Sequence, residues 1–495
     1  MRIERKKRRW PILGVLIVLL VGVGVFFGIQ WVTKTGVFKI PGVVKYDESL
    51  TEEEITDLKK IFTEEVELDK DVVITARSSF EKPAEDEQAV VYSAKVPVTD
   101  FYSTETEIEV DKPENVGADA YVTDVNYEMI DVEELDYRKK LLGINGQYYL
   151  DDFNKGAVYR ILKFDSEKYG EEIKPLIEGK IGVELPSRDN LLTFAQTGVT
   201  ALSRGMYEKL LQVGNAKYFA EGIADYLSGF DLTHTSNESS FSDYAGAHNI
   251  CSDSRFMDTL TAIGLDIVEL TGNHNIDCGD AAAEQTIDTY VANGIRIVGG
   301  GKSANEAAVP LEINEKGTGI TMLAYNQSTG GATLDDTPGA NQYTETNAES
   351  EIKAAKDRGD FVIVDVQYYE CSAYASEYED PICDRADSAA GDQVGFFRHL
   401  IDLGADVVVG TSAHQPQTYE LYGDGVIYYG LGNLFFDQVW WPGTTRNLVL
   451  AHYFYNGKLL QTQIVPTVYD KNMQTRLMDE ATTKWYLNRL ASVRP

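Results

Sequence analysis

Positive charge is in short supply in this chain. Lys and Arg total 45 against 78 Asp and Glu, a net charge of −33 over 495 residues. A polyanion such as DNA or RNA would be repelled over most of such a surface, which argues against nucleic-acid binding. The same charge favours solubility. Histidine is scarcer still, six in all, so a histidine set among other polar residues draws attention. The four cysteines, Cys251, Cys278, Cys371 and Cys383, show no CxxC-type spacing, which argues against thiolate zinc. A chain of this length exceeds one hydrophobic core, and two or more domains are expected.

Charge is missing altogether from Pro11 to Val32, PILGVLIVLLVGVGVFFGIQWV. At ~1.5 Å per residue this run reaches ~30 Å, enough to span a bilayer as one helix. Trp10 and Trp31 stand where interfacial aromatics belong, and the basic cluster MRIERKKRRW before the run belongs in the cytoplasm. A cleaved signal peptide would have a shorter apolar core ending in small residues, so an uncleaved anchor is the expectation. It puts the cell membrane at residues 10–32, a cytoplasmic tail at 1–9 and the rest outside. There the four cysteines would pair as disulfides, with three connectivities open. Cys371 with Cys383 would close a short loop, leaving Cys251 with Cys278.

Residues 33–186 read as a smaller α/β or α+β domain. TEEEITDLKKIFTEEV has helical periodicity with Thr51 and Glu54 as a capping box, and DVVITARSS and QAVVYSAKVPV read as strands. PSRDN, residues 186–190, marks the boundary. Over 187–470 strand-like runs alternate with helical patterns, which predicts an α/β fold with buried parallel strands. VIYYGLGNLFFD, LVLAHYFYN and KLLQTQIVPTV are expected to be antiparallel. Residues 471–495 read as a polar, helical tail.

In such folds ligands sit beyond the carboxyl ends of strands. The loops there are TGVTALSR, TSNESS, TGNHNIDCG, VQYYEC, GTSAHQPQ and GLGNLFFDQ, and all but the first carry Asn, His, Asp, Glu or Gln. Plain structural roles compete. Asn273 or Asp277 would suit the cap of the helix that follows, and His274 would suit a buried, satisfied imidazole. GGGKS lacks the earlier glycine of a phosphate loop, since Arg296 stands there, and reads as a turn. Asn237 heads an Asn-Glu-Ser sequon.

The blocks DIVELTGNHNIDCG, GIRIVGGGKSANEAAVP, LIDLGADVVVGTSAHQPQTYELYGDGVIYYGLGNLFFDQ and, more loosely, LTHTSNESSF resemble the CapA-type capsule-synthesis family of poly-γ-glutamate production. That family is itself similar to calcineurin-like metallophosphoesterases. The resemblance runs from about Leu191 to Thr467. It implies a layered α/β/β/α metallophosphoesterase-like sandwich around a divalent metal, Mn, Zn or Mg. It assigns Glu238, Asn273 and His414 to the metal, with His274 at the reacting group and Asp277 orienting its ring. Gln367, Glu370, Asn433 and Asp437 would contact substrate, with Gln367 or Glu370 as further ligand candidates.

Departures from the pattern are as informative. Gly198-Val199 stands where the family has Gly-Asp, Gln367-Tyr368-Tyr369 where it has His-Trp-Gly, and Ser412-Ala413-His414 in the HPH-like triplet. A carboxylate and two imidazoles are therefore missing, too many for a tight dinuclear centre. Two functions follow from the resemblance. One is a membrane-anchored, metal-dependent hydrolase or transferase acting on an anionic cell-surface polymer. The other is a non-catalytic polymer-binding or scaffolding partner of a membrane synthase or export complex. The convergence of Glu238, Asn273 and His414 on one point bears on the choice.

Overall fold

The computed structural model describes residues 44–65, 72–116, 125–165, 167–328, 330–333, 335–369 and 391–495. The basic tail, the predicted anchor, Glu370, Cys371 and Cys383 lie outside the described residues. Among the described residues no helix is long and apolar enough to cross a membrane. Two compact units are present. Described residues within 44–96, 109–116 and 144–185 form the first, and those within 97–108, 125–143 and 186–495 the second.

The first unit is mixed α/β. Its strands are β1 (Val44–Tyr46), β2 (Val72–Ser79), β3 (Ala89–Asp100) and β4 (Val158–Phe164), with helices α1 (Glu52–Glu65) and α2 (Glu167–Ile181). The sheet order is β1-β2-β4-β3, with β1 parallel to β2 and the other pairs antiparallel. The helices cover it through Leu58, Ile61, Phe62 and Ile177, which pack on Ile74, Val90 and Leu162. The expected capping box is present: Thr51 N donates to Glu54 Oε2 at 2.6 Å and Glu54 N to Thr51 Oγ1 at 3.2 Å.

In the second unit two sheets lie face to face. The first takes β5 (Leu191–Thr200), β6 (Leu232–Asn237), β9 (Ile267–Glu269), β10 (Arg296–Val298), β17 (Asn433–Phe435), β18 (Arg446–Tyr455), β19 (Lys458–Val468) and β20 (Arg476–Leu477). Its order is β10-β9-β6-β5-β18-β19-β20, with β17 also beside β5. The second takes β11 (Leu311–Glu315), β12 (Thr318–Asn326), β13 (Phe361–Gln367), β14 (Val407–Thr411), β15 (Tyr419–Tyr422) and β16 (Gly425–Tyr428), in the order β11-β12-β13-β14-β16-β15. Between them, Phe194, Leu232 and Ile267 meet Met322, Ile363 and Val407.

Helices α3 (Gly205–Val213), α4 (Met257–Ala262) and α5 (Asp280–Ala292) belong to the first sheet's outer face, where Leu210, Leu260 and Tyr290 pack with Ala195 and Val268. Helices α6 (Glu345–Arg358) and α7 (Gln393–Asp402) cover the second sheet's, where Ile352 and Leu400 pack with Val364 and Val408. The result is four layers, helix, sheet, sheet, helix. The short pair β7 (Ser240–Phe241) and β8 (Cys251–Ser252) stands apart.

One expectation needs correction in part. Of the three C-terminal runs, β18 and β19 are antiparallel to each other and β16 is antiparallel to β15, but β16 is also parallel to β14, and β17 is parallel to β5. The expected helix of the tail is present: α8 (Glu480–Ser492) buries Tyr486, Leu487 and Leu490, which give it a core-facing stripe.

Candidate functional site

The parallel strands of both sheets end at one place, and their last residues or following loops meet there. Glu238 follows β6, Asn273 sits in the loop after β9, Gln367 ends β13, and His414 follows β14. Gln367 Nε2 donates to Asn273 Oδ1 at 3.0 Å and to Glu238 Oε1 at 3.3 Å. Thr411 Oγ1 donates to Gln367 Oε1 at 2.9 Å. His414 Nε2 lies 3.7 Å from Glu238 Oε2. The three residues assigned to a metal thus converge, and Gln367 joins them.

Close approach of two loops makes this contact. A Cβ on Gly272 would lie 2.8 Å from Glu238 Cα, so glycine is what lets the Asn273 loop touch Glu238. The His414 loop has unusual backbone, with φ 75° at Ser412 and 56° at His414. Such left-handed conformations in residues with a Cβ are costly and concentrate at functional sites.

Asn433 orients the His414 ring. Its Nδ2 donates to His414 O, Gln438 Oε1 and Thr444 O at 3.0–3.1 Å. That leaves Oδ1 as acceptor for His414 Nδ1, at 2.9 Å. Nδ1 therefore carries a proton, and Nε2 is the ring atom that faces Glu238. Glu238 is fully buried, and its Oε2 receives no hydrogen bond from the described residues. A buried anionic oxygen without a donor calls for a proton or a cation.

His274 and Asp277 form their own pair on the rim, Nδ1 to Oδ2 at 2.7 Å. Asp277 is therefore not the helix cap: Gly279 takes that position on α5 without a side-chain bond. His274 is partly exposed rather than sealed in a core. A disulfide joins Cys251 to Cys278, the residue after Asp277. Beside it, Ser239 Oγ and Ser252 Oγ are 2.7 Å apart. The Glu238 and His274 loops are thus tied through β8. Asn237 is buried and donates to Ser239 O, so its sequon is sealed from a glycan.

The remaining expected residues divide. Val199, at the missing carboxylate's position, is buried with Ala201 and Phe436 in an apolar cluster. Asp437, expected to contact substrate, has both oxygens engaged elsewhere. Oδ1 accepts from Arg204 Nη2 at 2.5 Å and Oδ2 from Gly205 N, the first amide of α3, at 3.0 Å. Arg204 also lies over the Phe436 ring, 4.6 Å from its centroid, and that ring is 5.4 Å from His414.

A second polar group, missed in the sequence, lies deeper between the sheets. Asp365 Oδ1 accepts from Gln196 Nε2 at 2.5 Å, and His234 Nε2 is 3.2 Å from Asp365 Oδ2. His452 Nε2 is 3.3 Å from Gln196 Oε1. Burial, with a coulombic contribution from His234, lowers the His452 pKa to about 3. Burial, then the charge of Asp365, pushes Glu269 up to about 7, against hydrogen bonds from Ser236 and Thr271 that hold it down. The signal was strand alternation: His234, Ser236 and Glu238 share one face of their strand, and Asp365 and Gln367 one face of theirs.

Among the described residues no three or more His, Cys, Asp or Glu are grouped so as to hold a metal ion. The cluster offers one carboxylate, one imidazole and amide oxygens. That set, with the orphaned Glu238 oxygen, fits one hard or borderline cation at Glu238, Asn273 and His414 and is too small for two.

Residues 193–438 match the family model described as bacterial capsule synthesis protein PGA_cap. They place the chain in the CapA-type capsule-synthesis family. The capsule biosynthesis protein CapA of Bacillus anthracis is 25% identical over 238 residues, covering 45% of this chain and 55% of that protein. The PGA biosynthesis protein CapA of Bacillus subtilis (strain 168) is 29% identical over 194 residues, 39% of this chain and 48% of that protein. The chain spans about half the length of these CapA relatives. A hypothetical protein from Thermus thermophilus aligns over 56% of this chain and 99% of its own, at TM-score 0.32 and 13% identity, which carries no argument.

Proposed function

We propose that this CapA-type chain serves capsule or cell-surface polymer synthesis or export, anchored in the cell membrane by residues 10–32 with its folded units outside. The cluster of Glu238, Asn273, Gln367 and His414 holds polymer and one divalent cation. The observation that carries the cation is Glu238 Oε2, buried without a donor among the described residues and facing His414 Nε2 at 3.7 Å. A bound cation would polarise a carbonyl or phosphoryl oxygen of the polymer. His274, oriented by Asp277, stands ready to donate a proton or hydrogen bond to a developing oxyanion. In this reading the chain is a hydrolase or transferase of the metallophosphoesterase-like kind.

A second reading is favoured by a specific contact. Gln367 Nε2 already bonds Asn273 Oδ1 and Glu238 Oε1, filling two of the oxygens a cation would use. The site then binds polymer without catalysis, and the chain braces a membrane synthase.

Metal content by mass spectrometry, with thermal melts of wild type and His414→Ala in manganese or zinc, separates the two. One metal per chain and a melting increase lost in the variant support the cation, because a ligand of the native state raises stability. No metal and identical melts of both proteins would leave the binding role.

A further inference from the structure

We infer that Arg204 receives a carboxylate of the polymer held at this site. The inference rests on the reading that the site holds polymer. It adds the charged group that is recognised and the side chain that recognises it.

Hydrogen bonds place Arg204 next to the cluster. Glu238 N donates to Thr200 O, at the end of β5, and Ala201 N donates to Phe435 O, at the end of β17, both at 2.9 Å. The segment from Asn433 to Asp437 then serves both sides. Asn433 holds the His414 ring, Phe436 packs 5.4 Å from that ring by centroids, and Asp437 takes Arg204 Nη2. The guanidinium lies over Phe436, with Cζ 4.6 Å from its centroid. One phenyl ring therefore stands between the guanidinium and the imidazole.

The Arg204 position is costly to build. Its φ of 52° and ψ of −115° are a positive-φ backbone that residues with a Cβ rarely adopt. Its side chain is held by Asp437 and Phe436, yet 27% of it stays open. Among the described residues only Asp437 accepts from it. Nε is buried without an acceptor, and Ser203 Oγ, one residue earlier, is also buried without a partner. A guanidinium carries five donors, and a buried donor left unpaired is expensive. Capping α3 does not account for them, because Asp437 Oδ2 already accepts from Gly205 N. The unsatisfied donors point to an acceptor that arrives with a ligand.

A guanidinium pairs best with anionic oxygens, and its plane chooses among anions. Phe436 covers one face, so a ligand meets an edge. A planar carboxylate lies edge to edge in that plane, whereas a phosphodiester sends two ester arms out of it. The net charge of −33 does not decide the matter, because exposed charges farther off than ~8–10 Å are largely screened in physiological salt. A carboxylate also agrees with the cation proposed at Glu238, which draws the same group.

The test uses the full chain in a non-ionic detergent at fixed free manganese. Calorimetry follows titration with a γ-linked glutamate decamer, with the same decamer carrying amides in place of its free carboxylates, and with a glycerol phosphate oligomer. The acidic decamer is expected to bind saturably, and more tightly than the amide form by about tenfold or more. Arg204→Gln should remove most of that preference. Arg204→Lys keeps the charge and the partner of Asp437 but loses the planar fork, and should restore part of it. A purely structural Arg204 would weaken both decamers equally. A preference unchanged in Arg204→Gln therefore overturns the inference, as does binding of the glycerol phosphate oligomer alone. Binding of neither decamer overturns it together with the polymer reading. The manganese melting shift requires His414 and not Arg204, so failure of the cation reading shows separately.

Discussion

Asp277 Oδ2 lies 2.7 Å from His274 Nδ1, and the next residue, Cys278, is bonded to Cys251. The orientation of the imidazole therefore depends on a covalent tie to the loop after Glu238. The link spans 27 residues, and closing a loop of that size stabilises by roughly 3–4 kcal/mol in the chain-entropy account. Replacing both cysteines by serine is expected to lower the urea midpoint accordingly and to speed amide exchange across residues 272–279. Unchanged exchange there would show that the tie does not hold the loop.

Glu269 offers a pH test. Burial and Asp365 raise its pKa to about 7, against about 4.3 in an unfolded chain. Between those values the folded state holds the extra proton, so this group's contribution to stability falls as pH rises through the window. The loss over the whole window amounts to roughly 4 kcal/mol. Glu269→Gln keeps a polar side chain and removes the titration. Its stability relative to wild type should increase from pH 5 to pH 8, measured by urea unfolding at each pH. A constant difference would mean that Glu269 does not titrate there.

Gln367 stands where the family pattern has histidine. Gln367→His supplies an imidazole in place of the amide that occupies Glu238 and Asn273. The expected outcome is a larger manganese-induced melting increase than in wild type. An equal or smaller increase would count against a cation at this point.

Gly272→Ala tests the contact between the two loops. Its Cβ would lie 2.8 Å from Glu238 Cα and 2.9 Å from Cγ, so the Glu238 loop has to move. Overpacking of this kind costs about 1–3 kcal/mol. Thermal melts should show that loss together with disappearance of the manganese shift; retention of the shift would show that Glu238 tolerates the displacement.

Strand alternation and strand-end loops made the second unit's α/β character readable, because period and turn chemistry are local. The convergence of Glu238, Asn273, Gln367 and His414 was readable for the same reason: parallel strands deliver their ends to one edge. Asp437 was not, because its partner Arg204 is 233 residues away. In the run LGNLFFDQ its carboxylate looks available. The deep group was missed because His234, Glu269 and Asp365 sit within strands, and their apposition is set by how two sheets face each other. The C-terminal helix was judged by polarity, although Tyr486, Leu487 and Leu490 already mark its buried stripe.

Gln196 and Asp365 belong to opposite sheets and share a hydrogen bond at 2.5 Å. Apolar contact between sheets is non-directional and resists sliding only through the shapes of side chains. A directional bond between two buried groups works as a locating pin. Any glide of one sheet over the other would break it and strand a carboxylate in the dry interior. Glu238 stands on one sheet's side and Gln367 on the other, so the pin also sets the alignment of the two halves of the cluster.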